Sequence, residues 1–168
     1  TPQHRSNIEP SLLVDSFELE FERDKKGNMV SLGKGAFGNV LLADYHGTKC
    51  AYKEILPSSL SQETLERFFL ELKLIGTLRH PNIALVHGIF EDAGNLNIVM
   101  ELCELGDLHG VIYDDMSRLG RLPTESEVKS VMRQLFSGLS FMHDRDLVHR
   151  DVKPKNMALT SSRALEDC

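Results

Sequence analysis

The stretch Leu32–Val40, LGKGAFGNV, spaces Gly33, Gly35 and Gly38 as G-x-G-x-x-G. With no Cβ in the way, a glycine-rich hairpin can lay its backbone amides over phosphate groups. A dinucleotide fold uses the same letters, but there the glycines open a helix; here they run straight into VLLADY, a strand pattern. A merely flexible hairpin is the plainer alternative. Far downstream, Val148–Asn156, VHRDVKPKN, gathers six ionisable or hydrogen-bonding side chains into nine residues, directly after a long amphipathic run. That stretch is either a reaction centre or a solvated loop.

A cation and a carboxylate between them bear on the choice. Lys53 closes CAYK, with the small Ala51 two residues earlier on the same strand face. An inward-facing lysine needs an anionic partner, because burying a bare ammonium is costly; an exposed edge lysine is the alternative. Glu71 lies three residues after Phe68 and four before Ile75. It therefore shares the margin of an apolar helix stripe, where a carboxylate should meet a cation, and Lys53 is the natural candidate.

The elements that must position these groups follow from periodicity. Segments 27–35, 38–47 and 48–56 are rich in β-branched and aromatic residues and punctuated by glycine, which predicts a three-stranded antiparallel meander with a short connection at 46–48. The period then changes to helical over 61–78, with Ser61 as N-cap and Leu65, Phe68, Phe69, Leu72 and Ile75 as the buried stripe. Pro81 stops that helix by removing a donor and pushing His80 out of the helical region. Strands at 84–92 and 96–103 follow, joined near Gly94, then a short helix near 107–118. A longer helix runs over 124–142: Thr124 and Glu127 form a capping box, and Val128, Val131, Met132, Leu135, Phe136, Leu139 and Met142 the expected buried stripe. The expected architecture is α+β: a small lobe of five antiparallel strands with one inserted helix (17–102), then a helical region (103–168), after an N-terminal arm (1–16) carrying Pro2 and Pro10.

Composition sets outer limits. With 168 residues, of which 41% are apolar and 26% charged, the chain can bury a sizeable core and is not expected to be disordered. A formal net charge of −6 argues against nucleic acid or an anionic membrane as the main partner, and no apolar run reaches membrane-span length. Cys50, Cys103 and Cys168 are odd in number, far apart and without a CxxC pair, so reduced thiols in a cytoplasmic or nuclear setting are expected.

Taken in order, the glycine loop with its following valine, the strand lysine, the helix glutamate before HPNI, and HRDVKPKN resemble the eukaryotic protein kinases over roughly residues 17–160. GTKCAYKEI, LRHPNI and GNLNIVMELCELGDL look most like the tyrosine-kinase-like branch. The resemblance implies a bilobal fold with the inserted helix as its regulatory helix, and ATP and Mg²⁺ as cofactors. It places Leu32, Gly33, Gly35, Gly38, Val40, Ala51 and Lys53 in the nucleotide-binding set, Lys53 pairing with Glu71. It makes Met100 a gatekeeper, Glu101 to Cys103 a hinge to the adenine, and Asp107 a ribose contact. Ala158 falls where the family carries a larger apolar residue beneath the adenine, which implies a roomier floor or a shift in which Leu159 helps.

In the loop, Asp151 matches the carboxylate that accepts or orients the substrate hydroxyl's proton, Lys153 a neutraliser of charge on the transferring phosphoryl group, and Asn156 a magnesium ligand. His149 is implied to pack and hydrogen-bond, Val148 and Val152 to anchor the loop, and Lys155 to be solvated. Arg150 resembles kinases ordered by phosphorylation, which implies an activating kinase or regulatory partner. Lys153 followed by Pro154 points to serine/threonine substrates on proteins, and against small-molecule phosphotransferases. One departure stands out: D-F-G is missing from ALTSSRALEDC, and Asp167, the one candidate there for the second metal carboxylate, is followed by Cys168 and no Phe-Gly. The chain therefore reads as the leading part of a longer kinase, with a nucleotide-binding pseudokinase or scaffold fragment as the alternative.

Overall fold

The computed structural model describes residues 13–35, 38–55, 62–92, 95–113 and 121–160. It divides into two compact units: residues 1–79 with 85–102, and residues 80–84 with 103–168.

The first unit is an antiparallel sheet with one helix. Its strands are β1 (Leu19–Phe21), β2 (Ser31–Gly35), β3 (Gly38–Tyr45), β4 (Thr48–Ile55), β5 (Val86–Asp92) and β6 (Asn95–Glu101). Their order is β1-β3-β4-β6-β5, with β2 also paired to β3. Among the described residues six strands stand where five were expected, because two short strands share the edge beside β3. Leu19–Phe21 lie against Ala43–Tyr45, and Ser31–Gly35 against the first half of β3. Between them the chain makes a small hairpin that bridges Arg23 to Met29. Asp24 Oδ1 accepts the amides of Lys26 and Asn28 at 2.8 and 2.9 Å, and Gly27 turns the chain at φ 83°. Gly27, expected to begin a strand, is thus a turn residue.

The β3–β4 hairpin closes through His46 and Gly47, with φ of 52° and 82° and Tyr45 opposite Thr48. Positive φ at both central residues is the turn whose twist matches paired strands. One face of the sheet carries a core of Val14, Leu19, Ala43, Cys50, Tyr52 and Val99, with Phe21, Leu41 and Tyr45 against it. Val14, only 3% exposed, joins it from the segment before β1, and its amide donates to Ile89 O at 3.2 Å. Burying a valine of this kind stabilises by about 1.5–3 kcal/mol.

Helix α1 spans Gln62–Thr77. Leu72 is buried, but Ile75, expected in the same stripe, is 39% exposed. Ser61 and the side chains of Leu65, Phe68, Phe69 and Glu71 lie outside the described residues. The helix ends against its own neighbours: Arg79 Nη1 donates to Gly76 O and Leu78 O at 2.7 and 2.9 Å, satisfying carbonyls that have no helical partner.

The second unit holds α2 (Leu108–Tyr113), α3 (Glu125–His143) and a 3₁₀ turn at Pro154–Asn156. The expected capping box is present: Glu127 N donates to Thr124 Oγ1 at 3.3 Å, and Thr124 N to Glu127 Oε2 at 2.6 Å. Arg121 adds two bonds to the same carboxylate at 2.8 and 2.7 Å. These contacts hold the Glu127 carboxyl near pKa 2, down from an ordinary 4.5, the Arg121 hydrogen bond being the largest cause. The apolar stripe of α3 departs from expectation. Val128, Met132 and Phe136 are 49%, 38% and 59% exposed, whereas Glu127, Ser130 and Gly138 are buried. Gly138 lies against the 80–84 segment, where a Cβ would sit 3.0 Å from Asn82 O. Asn82 Nδ2 also donates to Gln134 Oε1 at 3.3 Å. Leu108, Val111 and Leu159 form this unit's buried cluster, with Leu105, Ile112, Val131 and Met157 packed on it.

Candidate active site

The glycine hairpin occupies β2 and β3, Gly33 opposite Val40 and Gly35 opposite Gly38. Leu32 is an extra residue between the Ser31–Leu41 and Gly33–Val40 pairs, a bulge that sharpens the local twist. Gly38 sits at φ 146°, a conformation that favours glycine. A Cβ on Gly33 would meet open space, so packing does not demand glycine there, and the backbone is left bare. Leu32 is 45% exposed. Ala36 and Phe37 at the tip, and the surroundings of Gly35, lie outside the described residues.

Cross-strand register gathers the other predicted residues of this unit. Val40 pairs with Lys53, Ala51 with Met100 and Lys53 with Ile98. Directly opposed residues share a sheet face, and so do i and i+2, so Val40, Ala51, Lys53 and Met100 lie on one face, turned away from Cys50 and Tyr52. Lys53 is half-buried, and loss of solvent pushes its ammonium below the usual lysine range. Glu71 falls within α1, and its expected pairing with Lys53 lies outside the described residues. Glu101 is committed to the sheet: its amide donates to Leu85 O at 2.8 Å and its carboxylate accepts Leu85 N at 3.1 Å.

In the second unit, Asp107 caps α2, its Oδ1 accepting Gly110 N at 2.8 Å. Its backbone bridges to Ala158, while the Leu108 amide donates to Met157 O at 2.8 Å. Leu159 is 6% exposed within the cluster with Leu108 and Val111, and its amide donates to Gly106 O at 2.8 Å. It is locked into the core of its unit, whereas Ala158 is exposed. Cys103 is half-buried, and its thiol is in no disulfide.

The polar loop closes on itself around Asp151. Lys153 Nζ lies 2.7 Å from Asp151 Oδ2, and Asn156 Nδ2 donates to Asp151 Oδ2 and to its backbone carbonyl, both at 2.8 Å. The 3₁₀ turn, begun by Pro154, brings Asn156 back over Asp151. The Lys153 and Asn156 hydrogen bonds, in that order, hold the Asp151 carboxyl below its ordinary range, so it is ionised at neutral pH. His149 Nδ1 accepts Asp151 N at 3.3 Å and its carbonyl accepts the same amide at 2.9 Å, so the ring is a hydrogen-bonding residue, and it is exposed instead of packed. Val148 and Val152 are 64% and 47% exposed and do not anchor the loop by burial. Arg150 sits at φ 65°, a strained conformation for a residue with a side chain. Such a constellation can orient a hydroxyl at a carboxylate and place an ammonium beside a developing negative charge.

A family model described as the protein kinase domain matches residues 27–166. The chain belongs to the protein kinase domain family. The kinase chain is 32% identical over 154 residues to the serine/threonine-protein kinase ATG1 of Gibberella zeae, covering 81% of this chain and 16% of that protein. It is 35% identical over 149 residues to the ATG1 kinase of Colletotrichum lindemuthianum, covering 78% and 22%. To the cytokinesis protein sepH of Emericella nidulans it is 38% identical over 131 residues, covering 77% and 9%. It therefore spans less than a quarter of the length of each of these relatives. Two polar groups of the kinase chain escaped sequence reasoning. Arg121 clamps the cap of α3, and Asn97, a lone amide in LNIVMEL, is 1% exposed and bonded to Tyr52.

Proposed function

We propose that the chain forms the leading part of a catalytic domain that transfers the γ-phosphoryl group of ATP to serine or threonine hydroxyls of proteins. The observation that carries this reading is the Asp151–Lys153–Asn156 constellation. In it Asp151 receives the substrate hydroxyl and orients its proton, and Lys153 stands beside the oxygen that gains charge. The exposed carboxylate is reachable by a residue on another protein. Lys53, half-desolvated on the sheet face that also carries Val40 and Ala51, supplies a cation for phosphate, and the bare Gly33 backbone lies two strands away, across Val40.

The donor set fits a hard divalent ion in part. Asn156 uses its amide nitrogen toward Asp151, which leaves Oδ1 as the oxygen donor for Mg²⁺. Bound there with ATP, the ion would neutralise phosphate charge. Among the described residues no group of three or more His, Cys, Asp or Glu could hold a metal by itself; Asp167 lies outside them. The alternative reading is a nucleotide-binding scaffold that does no chemistry.

Serine/threonine preference is supported by the Lys153–Pro154 pair and by the names of the similar kinases. The strained, exposed Arg150 suits control by an activating kinase, and the unbridged thiols of Cys50 and Cys103 suit a reducing compartment, cytoplasm or nucleus. Incubating the full-length protein with γ-labelled ATP and a generic protein substrate, followed by phosphoamino-acid analysis, tests the reading. Label on serine and threonine supports it. ATP binding without any transfer favours the scaffold, and transfer only to small molecules contradicts both.

A further inference from the structure

Leu85 and Glu101 stand opposite one another one step beyond the last β5–β6 pair, Val86 with Met100. A hydrogen-bonded antiparallel pair exchanges two main-chain bonds, each amide donating to the other residue's carbonyl. Here only half of that exchange is made. Glu101 N donates to Leu85 O at 2.8 Å, but Leu85 N donates to Glu101 Oε2 at 3.1 Å and not to the Glu101 carbonyl. A carboxylate is a stronger acceptor than a neutral amide carbonyl, so the side chain displaces the main chain of its own residue.

The displaced carbonyl is left to find another donor. Among the described residues no turn or loop amide donates to it. It stands at the end of β6, which closes at Glu101. Met100, the residue before it, lies opposite Ala51 on the sheet face that also carries Val40 and Lys53. The carbonyl therefore adjoins the margin of that face. A main-chain carbonyl takes an N–H group. A planar base with an exocyclic amine offers one, and a base with hydrogen at that place does not.

We propose that the Glu101 side chain is a positioning residue: by taking the Leu85 amide it releases the Glu101 carbonyl to accept the exocyclic amine of a nucleotide base. The carboxylate itself touches no ligand. The base contact rests on the phosphoryl-transfer reading, which puts ATP on this face; the exchange of acceptors does not.

The test compares full-length wild type with Glu101→Leu and Glu101→Gln. Crystal structures read which oxygen accepts the Leu85 amide. Calorimetry reads the affinity for ATP and for purine riboside triphosphate, which carries hydrogen in place of the amine. Wild type should prefer ATP by about two- to tenfold, the contribution of one hydrogen bond. In Glu101→Leu the Leu85 amide should move to the residue 101 carbonyl, and the preference should fall close to one. Glu101→Gln, whose side-chain oxygen can still accept the amide, should restore it. A merely structural carboxylate would weaken both triphosphates alike, so an undiminished preference in Glu101→Leu overturns the proposal. So does a Leu85 amide that stays off the residue 101 carbonyl in that variant. Should Glu101→Leu not fold, Glu101→Ala takes its place with the same outcomes. An amide that moves as expected, with neither triphosphate bound by wild type, supports the exchange of acceptors and sinks the phosphoryl-transfer reading instead.

Discussion

At the residue scale Lys53 carries part of the expected chemistry, and Glu127 carries a pH signature. Replacing Lys53 by methionine removes a half-desolvated ammonium and leaves an apolar side chain of similar length. The melting temperature should hold within a few degrees while phosphoryl transfer falls by about 10²-fold or more. A parallel collapse of both would make Lys53 structural. Glu127 gives the pH prediction. Its folded pKa, about 2, lies below its ordinary 4.5, so the Arg121–Thr124–Glu127 cluster stabilises the fold above pH 4.5 and loses that contribution as the pH falls toward 2. Urea titrations at stepped pH should show wild-type stability dropping more steeply through this window than that of Glu127→Gln. Parallel curves would contradict the assignment.

Local signals were legible at the element scale, and tertiary ones were not. The Thr124–Glu127 box could be read from four residues because it satisfies amides of its own first turn. The α3 stripe could not, because periodicity says only that a face is apolar and not whether anything covers it. Val128, Met132 and Phe136 have the right spacing and remain exposed, while the small Ser130 and Gly138 make the close contact side. Likewise β1 is three residues long, too short for alternation to announce it, and pairing with β3 creates it. Gly138 yields a test of the α3 contact. Alanine gains about 1 kcal/mol of helix propensity, but its Cβ meets a backbone oxygen at 3.0 Å, and overpacking of this kind costs about 1–3 kcal/mol. Gly138→Ala should therefore lower stability by chemical denaturation, and a stabilised variant would show that the 80–84 segment yields freely.

For the whole molecule, the order of motifs along the chain was informative where single motifs were not. G-x-G-x-x-G alone suits several folds, yet with a strand lysine, a helix, HPNI and HRDVKPKN behind it the protein kinase domain was legible, and residues 27–166 match that family. Alternation within β4 puts Ala51 and Lys53 on one face in advance, whereas Val40 and Met100 join that face only through cross-strand register. What resisted reading depends on contacts between distant segments: the commitment of Glu101 to Leu85, the Asn97–Tyr52 bond, and the locking of Leu159 under α2. The account's central claim concerns Asp151, and phosphoryl transfer from labelled ATP by full-length wild type against Asp151→Asn tests it most directly. An amide keeps the Lys153–Asn156 neighbourhood in shape but accepts no proton, so transfer should fall by about 10²–10⁴-fold with ATP affinity retained. Equal transfer by the two proteins would contradict the account.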